Sequence, residues 1–304
     1  MNETTSPGKS KTGLIAAIAV LIVLAIMFVV VLKLYRNESD NRSASITPDT
    51  AQTGENRIDA SAKIVSADPV KGDVVVRLEF TPHGNFAAED GVTLNRDLEL
   101  FVNSANGKQS YEFRKGKRMN PVEAVLDMYN GDAMDYPFDE HEAALEMYFQ
   151  PGTAATPDAS AGGAAIPVAF EMFGAASGLE IEAEKAKENT ADYVSVDLSV
   201  KRAATARFFS FFIMSAMWLI TVAVIFLAFH ILTDRRKIEI GMFSFLGALL
   251  FAFPALRNSQ PGTPPIGTYG DFMAFFWAEM LIALCLLVVL STWLIRGPGG
   301  AGKA

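Results

Sequence analysis

Four long apolar runs constrain this chain more than any other feature. Residues 13–32 give 20 positions without charge or proline, 208–232 give 25 with His230 neutral, 240–256 give 17, and 272–295 give 24 with one charge, Glu279. A helix rises about 1.5 Å per residue, so about 20 residues cross a hydrocarbon core of about 30 Å. Three runs clear that length. The run of 17 stands at the lower limit with Pro254 near its end, and its alternative is a re-entrant or interfacial segment. The first run is longer than a signal-peptide core, no small-x-small cleavage pattern follows it, and Lys33-Leu34-Tyr35-Arg36 comes next, so it reads as an uncleaved signal anchor.

Between the first two runs the chain changes character. Residues 37–204 hold 29 of the 34 acidic residues and 15 of the 26 basic ones, a net charge of −14 against +6 for the remainder. Residues 37–55, rich in Ser, Thr, Asn and Asp, read as a tether. From Arg57 onward apolar and polar residues alternate, the mark of half-buried strands. Ile58, Ala60, Ala62 and Ile64 share a face, as do Val74 to Phe80, Leu98 to Val102, Val122 to Met128, Leu145 to Phe149 and Val194 to Val200 at every second position. Shorter alternations at 110–114, 168–173 and 179–183 bring the expectation to about nine strands, with turns such as Asn106-Gly107 and Asn130-Gly131. Residues 152–163 read as a flexible loop.

The expected fold is therefore an α+β membrane protein: four transmembrane helices with an extracytoplasmic antiparallel β-sandwich inserted between helices 1 and 2. The expected segments are a tail (1–12), an anchor (13–33), a linker (34–56), the sandwich (57–204), a three-helix membrane domain (205–296, with spans 208–232, 239–256 and 272–295) and a second tail (297–304). The short loop with Arg235, Arg236 and Lys237, together with Lys9, Lys11, Arg296 and Lys303, places both termini in the cytoplasm by the positive-inside rule. The expected location is the plasma membrane, multi-pass, with the large domain outside.

Several chemistries lack their residues. One cysteine, Cys285, excludes a disulfide framework and a Cys-rich metal site. A net charge of −8 argues against nucleic-acid binding. No P-loop and no Gly-x-Ser-x-Gly elbow occurs. His141 lies in Asp139-Glu140-His141-Glu142, but strand alternation sends Glu140 and Glu142 to the face opposite Asp139 and His141, so this reads as a solvated strand edge rather than a metal site. No enzyme activity and no cofactor is expected. The expected partners are the lipid bilayer and other envelope proteins or a second copy of the chain.

The candidate functional residues are Glu279, Arg257 and Asp271. Glu279 sits eight residues into the last run, where a carboxylate is costly and faces a bundle interior or a wet cavity. It reads either as an ion or proton site or partner of Arg257, or as a structural hydrogen-bonding group that snorkels to the interface, with Thr221 and Ser215 as further partners. Residues 257–267, with three prolines and two glycines, read as a rigid connection beneath the β-domain, a structural cap or a binding element.

The stretches Tyr136-Pro137-Phe138-Asp139, Phe251 to Asn258, and Pro264-Pro265-Ile266-Gly267 followed by Phe275-Phe276-Trp277 resemble Domain of Unknown Function family 4436, uncharacterised membrane proteins of actinobacteria and fungi. The resemblance covers most of the chain and implies no activity. A more distant one is to pentameric ligand-gated channels. It rests on the aromatic-Pro-x-Asp turn at Tyr136, the basic pair Lys201-Arg202 leading with Arg207 into a helix, and the Pro-rich loop from Pro264 to Tyr269. Those channels carry a further C-terminal helix, a place that the N-terminal anchor would take here. The expected function is that of an envelope scaffold or interaction protein, the alternative an oligomeric ion channel or transporter component.

Overall fold

The computed structural model describes residues 8–41, 44–47, 54–152, 166–233 and 238–296. The chain divides into two compact units, residues 1–41 and 42–304. In the first, α1 (Gly8–Asn41) is a single helix of 34 residues that contains the first apolar run. It runs past residue 33 into the expected linker, because no glycine or proline interrupts the sequence before Pro48.

The second unit begins with ten strands: β1 (Ala44–Ile46), β2 (Ile58–Asp68), β3 (Asp73–Pro82), β4 (Leu98–Val102), β5 (Ser110–Phe113), β6 (Val122–Tyr129), β7 (Glu140–Pro151), β8 (Val168–Gly174), β9 (Leu179–Lys185) and β10 (Tyr193–Arg202). All nine alternating segments form strands. The tenth, β1, falls in the expected tether and pairs antiparallel with the end of β8, Ala44 opposite Gly174. The strand order is β1-β8-β2-β3-β6-β7-β10-β9, with β4 beside β7 and β5 beside β4. One pairing departs from the antiparallel expectation: β2 and β8 run parallel, Ile58 beside Val168. Ile58 also donates its amide to Pro167 O. The alternation that fixes which face is buried is indifferent to strand direction, so the sequence could not reveal this pair.

The inward faces of the strands form one apolar core, running from Ile58, Val76 and Leu78 to Leu145, Val196 and Leu198, all fully buried. Glu146, between Leu145 and Met147, points to solvent. A lysine at Glu146 is therefore expected to leave the unfolding temperature in detergent within a degree or two, since exposed substitutions cost little. A large drop would mean that the register is displaced by one residue.

β10 passes through Ala203 into α2 (Ala204–Thr233), followed by α3 (Ile240–Asn258), a π-helical turn (Asp271–Phe275) and α4 (Phe276–Arg296). Among the described residues three helices are long and apolar enough to cross a membrane: Ala204–Thr233, Ile240–Asn258 and Asp271–Arg296. Pro254 lies inside α3 without ending it. The helices share a second apolar core built on Met217, Phe253, Ala274, Ala278 and Ile282. At the end away from the β-domain, Arg296 caps α2 by donating to Ile231 O at 2.8 Å and Leu232 O at 2.9 Å. The basic triplet 235–237, the loop 153–165 and the tails 1–7 and 297–304 lie outside the described residues.

Candidate functional site: the junction of sheet and helices

Strand parity delivers charged groups to the place where the two cores meet. The inward series of β10 runs Val194, Val196, Leu198, Val200 and ends on Arg202; that of β7 runs Phe149, Met147, Leu145, Ala143 and His141, and its next inward position is Asp139. The two strands pair with Val200 opposite His141 and Lys201 opposite Glu140, so the next step faces Arg202 with Asp139. Arg202 Nε donates to Oδ1 and Oδ2 of Asp139, each at 2.9 Å. Nη2 lies 2.9 Å from Oδ2, close enough for charge pairing but not aligned as a hydrogen bond. His141 Nε2 is 3.4 Å from the same Oδ2. Asp139 and His141 are thus buried, 2% and 4% exposed, and not the solvated strand edge expected. The carboxylate faces a guanidinium, a neutralised pair rather than a cation site.

Tyr136 is the hinge-pin of this region. It is fully buried, and the Arg202 guanidinium carbon sits 5.0 Å from its ring centre. Its backbone carbonyl accepts from Gly270 N at 3.0 Å. Its hydroxyl is hydrogen-bonded to that of Ser210 on α2, which itself donates to Ala206 O at 3.0 Å, leaving Ser210 to accept from the phenol. The approach is tight at Gly270, where a Cβ would lie 3.3 Å from Tyr136 O. Gly131, at φ 87°, turns the chain from β6 into this loop, and a Cβ there would lie 1.8 Å from Glu140 O. Phe138 packs edge-on against Phe211 of α2 and Tyr269.

Burial pushes the Tyr136 phenol above its usual range. A raised folded value stabilises fully below the unfolded one, about pH 10, and the contribution is lost as pH rises through the folded one. Tyr136→Phe is expected to cost about 0.5–1.5 kcal/mol at neutral pH. The gap between the two unfolding curves should stay constant up to about pH 10 and shrink above it. A gap that shrank between pH 6 and 8 would contradict the assignment of the phenol as a protonated donor.

Below the loop, Arg257 and Asp271 form a fork-to-fork pair of two parallel bonds, Nε to Oδ1 and Nη2 to Oδ2, each at 2.8 Å. Nη1 donates to Pro264 O at 2.8 Å, and Nη2 also bonds Pro265 O. Asp271 accepts from the amides of Gly267 at 2.8 Å and Thr268 at 3.3 Å. The pair is buried, 2% and 1% exposed, and folds the whole α3–α4 connection around itself. Two of the three candidates, Arg257 and Asp271, are therefore partners.

Glu279 does not join them. The partners expected for it are otherwise engaged: Arg257 holds Asp271, Thr221 donates to Met217 O at 2.8 Å, and Ser215 is exposed. Its Oε2 is shielded from solvent with no hydrogen-bond partner among the described residues. The π-helical turn before it shifts the hydrogen-bond ladder, and Trp218 Nε1 donates across from α2 to Met273 O at 3.0 Å. Removing an unpartnered buried oxygen is favourable. Glu279→Leu is expected to raise the unfolding temperature in detergent and Glu279→Gln to leave it unchanged. A fall in the Leu variant would show that the carboxylate makes a structural bond.

Sequence reasoning had singled out Arg257 and Asp271 but missed Asp139, Arg202, Tyr136 and Ser210 as a group. Parity was the available signal: Arg202 and Asp139 extend apolar inward series whose other members are all buried.

The fold and the junction define a β-sheet domain mounted on helices of membrane-spanning length. A domain of unknown function, DUF4436, matches residues 48–203, and a second one, DUF8686, matches residues 202–296. The chain belongs to the DUF4436 family. The boundary between the two matches falls at Arg202 and Ala203, where β10 becomes the start of α2. No curated protein matches the chain.

Proposed function

We propose that this protein is a plasma-membrane scaffold or interaction protein that crosses the bilayer four times, by α1 and the three later helices. It holds a β-sandwich outside and both termini in the cytoplasm, and the reading assigns it no catalytic activity. The observation that carries it is the junction. The contacts of Tyr136 with Ser210 and Gly270, and of Phe138 with Phe211 and Tyr269, join the β-domain to the helices, while a buried arginine–carboxylate pair stiffens each side, as suits a domain presented to partners at a set height and angle. The sandwich is supported by two strand groups, β1-β8-β2-β3-β6 and β9-β10-β7-β4-β5, that bury their inner faces in one core. Mass measurement after purification in detergent is expected to give a monomer or dimer carrying envelope partners.

A second reading, an oligomeric channel or transporter component, has one observation in its favour. The three stretches that resemble ligand-gated channels, at Tyr136, at Arg202 and at 264–269, meet at this one junction. A ring of five in the mass measurement would select that reading. Topology is tested separately: a phosphatase reporter at Gly107 is expected to be active and one at Asp234 silent, and the reverse would overturn the orientation.

A further inference from the structure

On the outer face of β9-β10-β7-β4-β5, Glu142, Glu146, Glu182, Glu184 and Asp197 are exposed among the described residues, and the residues of the face fall in rows set by the strand register. One row is aromatic: Tyr193 lies opposite Tyr148, and Tyr148 opposite Phe101. Phe101 and Tyr148 stack with ring centres 5.1 Å apart and planes 11° apart, and Tyr148 and Tyr193 stand 6.2 Å apart. All three are half-buried, so ring surface remains open to solvent.

Acidic residues stand on both sides of the aromatics. One adjacent row holds Glu99 opposite Glu112; the other holds Glu146, and the row beyond it Asp197 opposite Glu184, so two like-charge pairs lie directly across from one another. Such pairs destabilise a sheet. No lysine or arginine among the described residues forms an ion pair with these four or with Glu142 and Glu146. Lys201, bonded to Glu182 at 3.1 Å, is the cation paired on the face among the described residues. Groups distributed over the face register the same field. The Lys201 ammonium is held above its usual range, chiefly by its bond to Glu182 and then by Glu140 and Glu180. The phenols of Tyr193 and Tyr129 are pushed up by burial first, then by Glu146 and by Asp197 and Glu142 respectively.

We propose that this face binds an extended, arginine-bearing segment of another protein. Successive rows lie two residues apart along the strands, about 6.6–7 Å, the spacing of alternate side chains on an extended peptide. Carboxylates supply fork-shaped acceptors for guanidinium groups, and the aromatic row supplies planes on which they stack. A polyamine would meet the charges but has no planar group to use the rings. This inference gives the interaction reading its partner class and rests on it.

The test is binding of fluorescein-labelled nona-arginine to the full chain in phosphatidylcholine nanodiscs, read by anisotropy. Binding is expected to weaken as salt rises. It is expected to fall about tenfold in Glu142→Gln/Glu146→Gln/Asp197→Asn, whose positions are exposed. Tyr148→Leu keeps the charge and should still lose about two- to fivefold. Glu79→Gln/Glu123→Gln, on exposed positions of the other strand group, is the control and should bind as wild type. The proposal falls if the triple variant binds unchanged, if the control loses as much, if Tyr148→Leu loses nothing, or if spermine at equal charge binds as tightly. If it falls while envelope proteins still co-purify with the chain, the interaction reading stands and only this surface is removed.

Discussion

Asp271→Ala is expected to destabilise the protein by about 3–5 kcal/mol, the usual consequence of leaving one member of a buried ion pair alone. The reason is specific to what Asp271 does. It takes both forks of Arg257 and the amides of Gly267 and Thr268, so its loss strands a buried guanidinium and two backbone donors together. Arg257 also organises the carbonyls of Pro264 and Pro265, which would lose their donor's anchor. The measurement is unfolding of the full chain in detergent, followed by tryptophan emission. The paired variant Arg257→Met/Asp271→Leu should recover part of the loss, because an uncharged pair leaves no stranded charge. A single variant that lost less than about 1 kcal/mol would mean that the pair is solvated, as surface pairs are.

Leu145→Asp should have an effect of similar size in the other core. Leu145 is fully buried on β7, opposite Val196 of β10, in the apolar core of the β-domain. A carboxylate there has no partner and costs several kcal/mol. Limited proteolysis of the full chain should then cut within the β-domain at sites the wild type protects. Continued protection would mean that position 145 faces solvent, and the core would have to be redrawn.

The two substitutions probe parts of the molecule that differed in legibility. The β-domain core was readable because one face of each strand is apolar, and period-two alternation maps directly onto burial. Three things escaped that code. β1 is three residues long, and Ala44-Ser45-Ile46 is too short to establish a period. The parallel pairing of β2 with β8 leaves alternation unchanged. The Asp139–Arg202 pair looks polar in sequence and so reads as exposed, although both residues sit in phase with buried neighbours.

Among the residues of the three helices and their connection the reverse happened. Arg257, Asp271 and Glu279 stood out because charges near apolar runs are expensive. Which of them would pair was not readable, because the connection through Pro264, Pro265 and Gly267 folds Asp271 back onto α3. The position of Arg257 at the end of an apolar run says nothing of that turn, and suggests Arg257 as a partner for Glu279 instead.

The β-domain and the three helices behave as a single body through the contacts of Tyr136 with Ser210 and Gly270 and of Phe138 with Phe211 and Tyr269, with Arg202 holding the Tyr136 ring in place. Spin labels at Lys187, in the exposed turn between β9 and β10, and at Ser259, exposed at the end of α3, span the junction. Cys285, a free thiol, would be changed to serine beforehand. Double electron–electron resonance on the full chain in nanodiscs should give one narrow distance distribution, and Arg202→Gln should broaden it. A broad or two-peaked distribution with Arg202 intact would show a β-domain that swings on its helices and would contradict the claim.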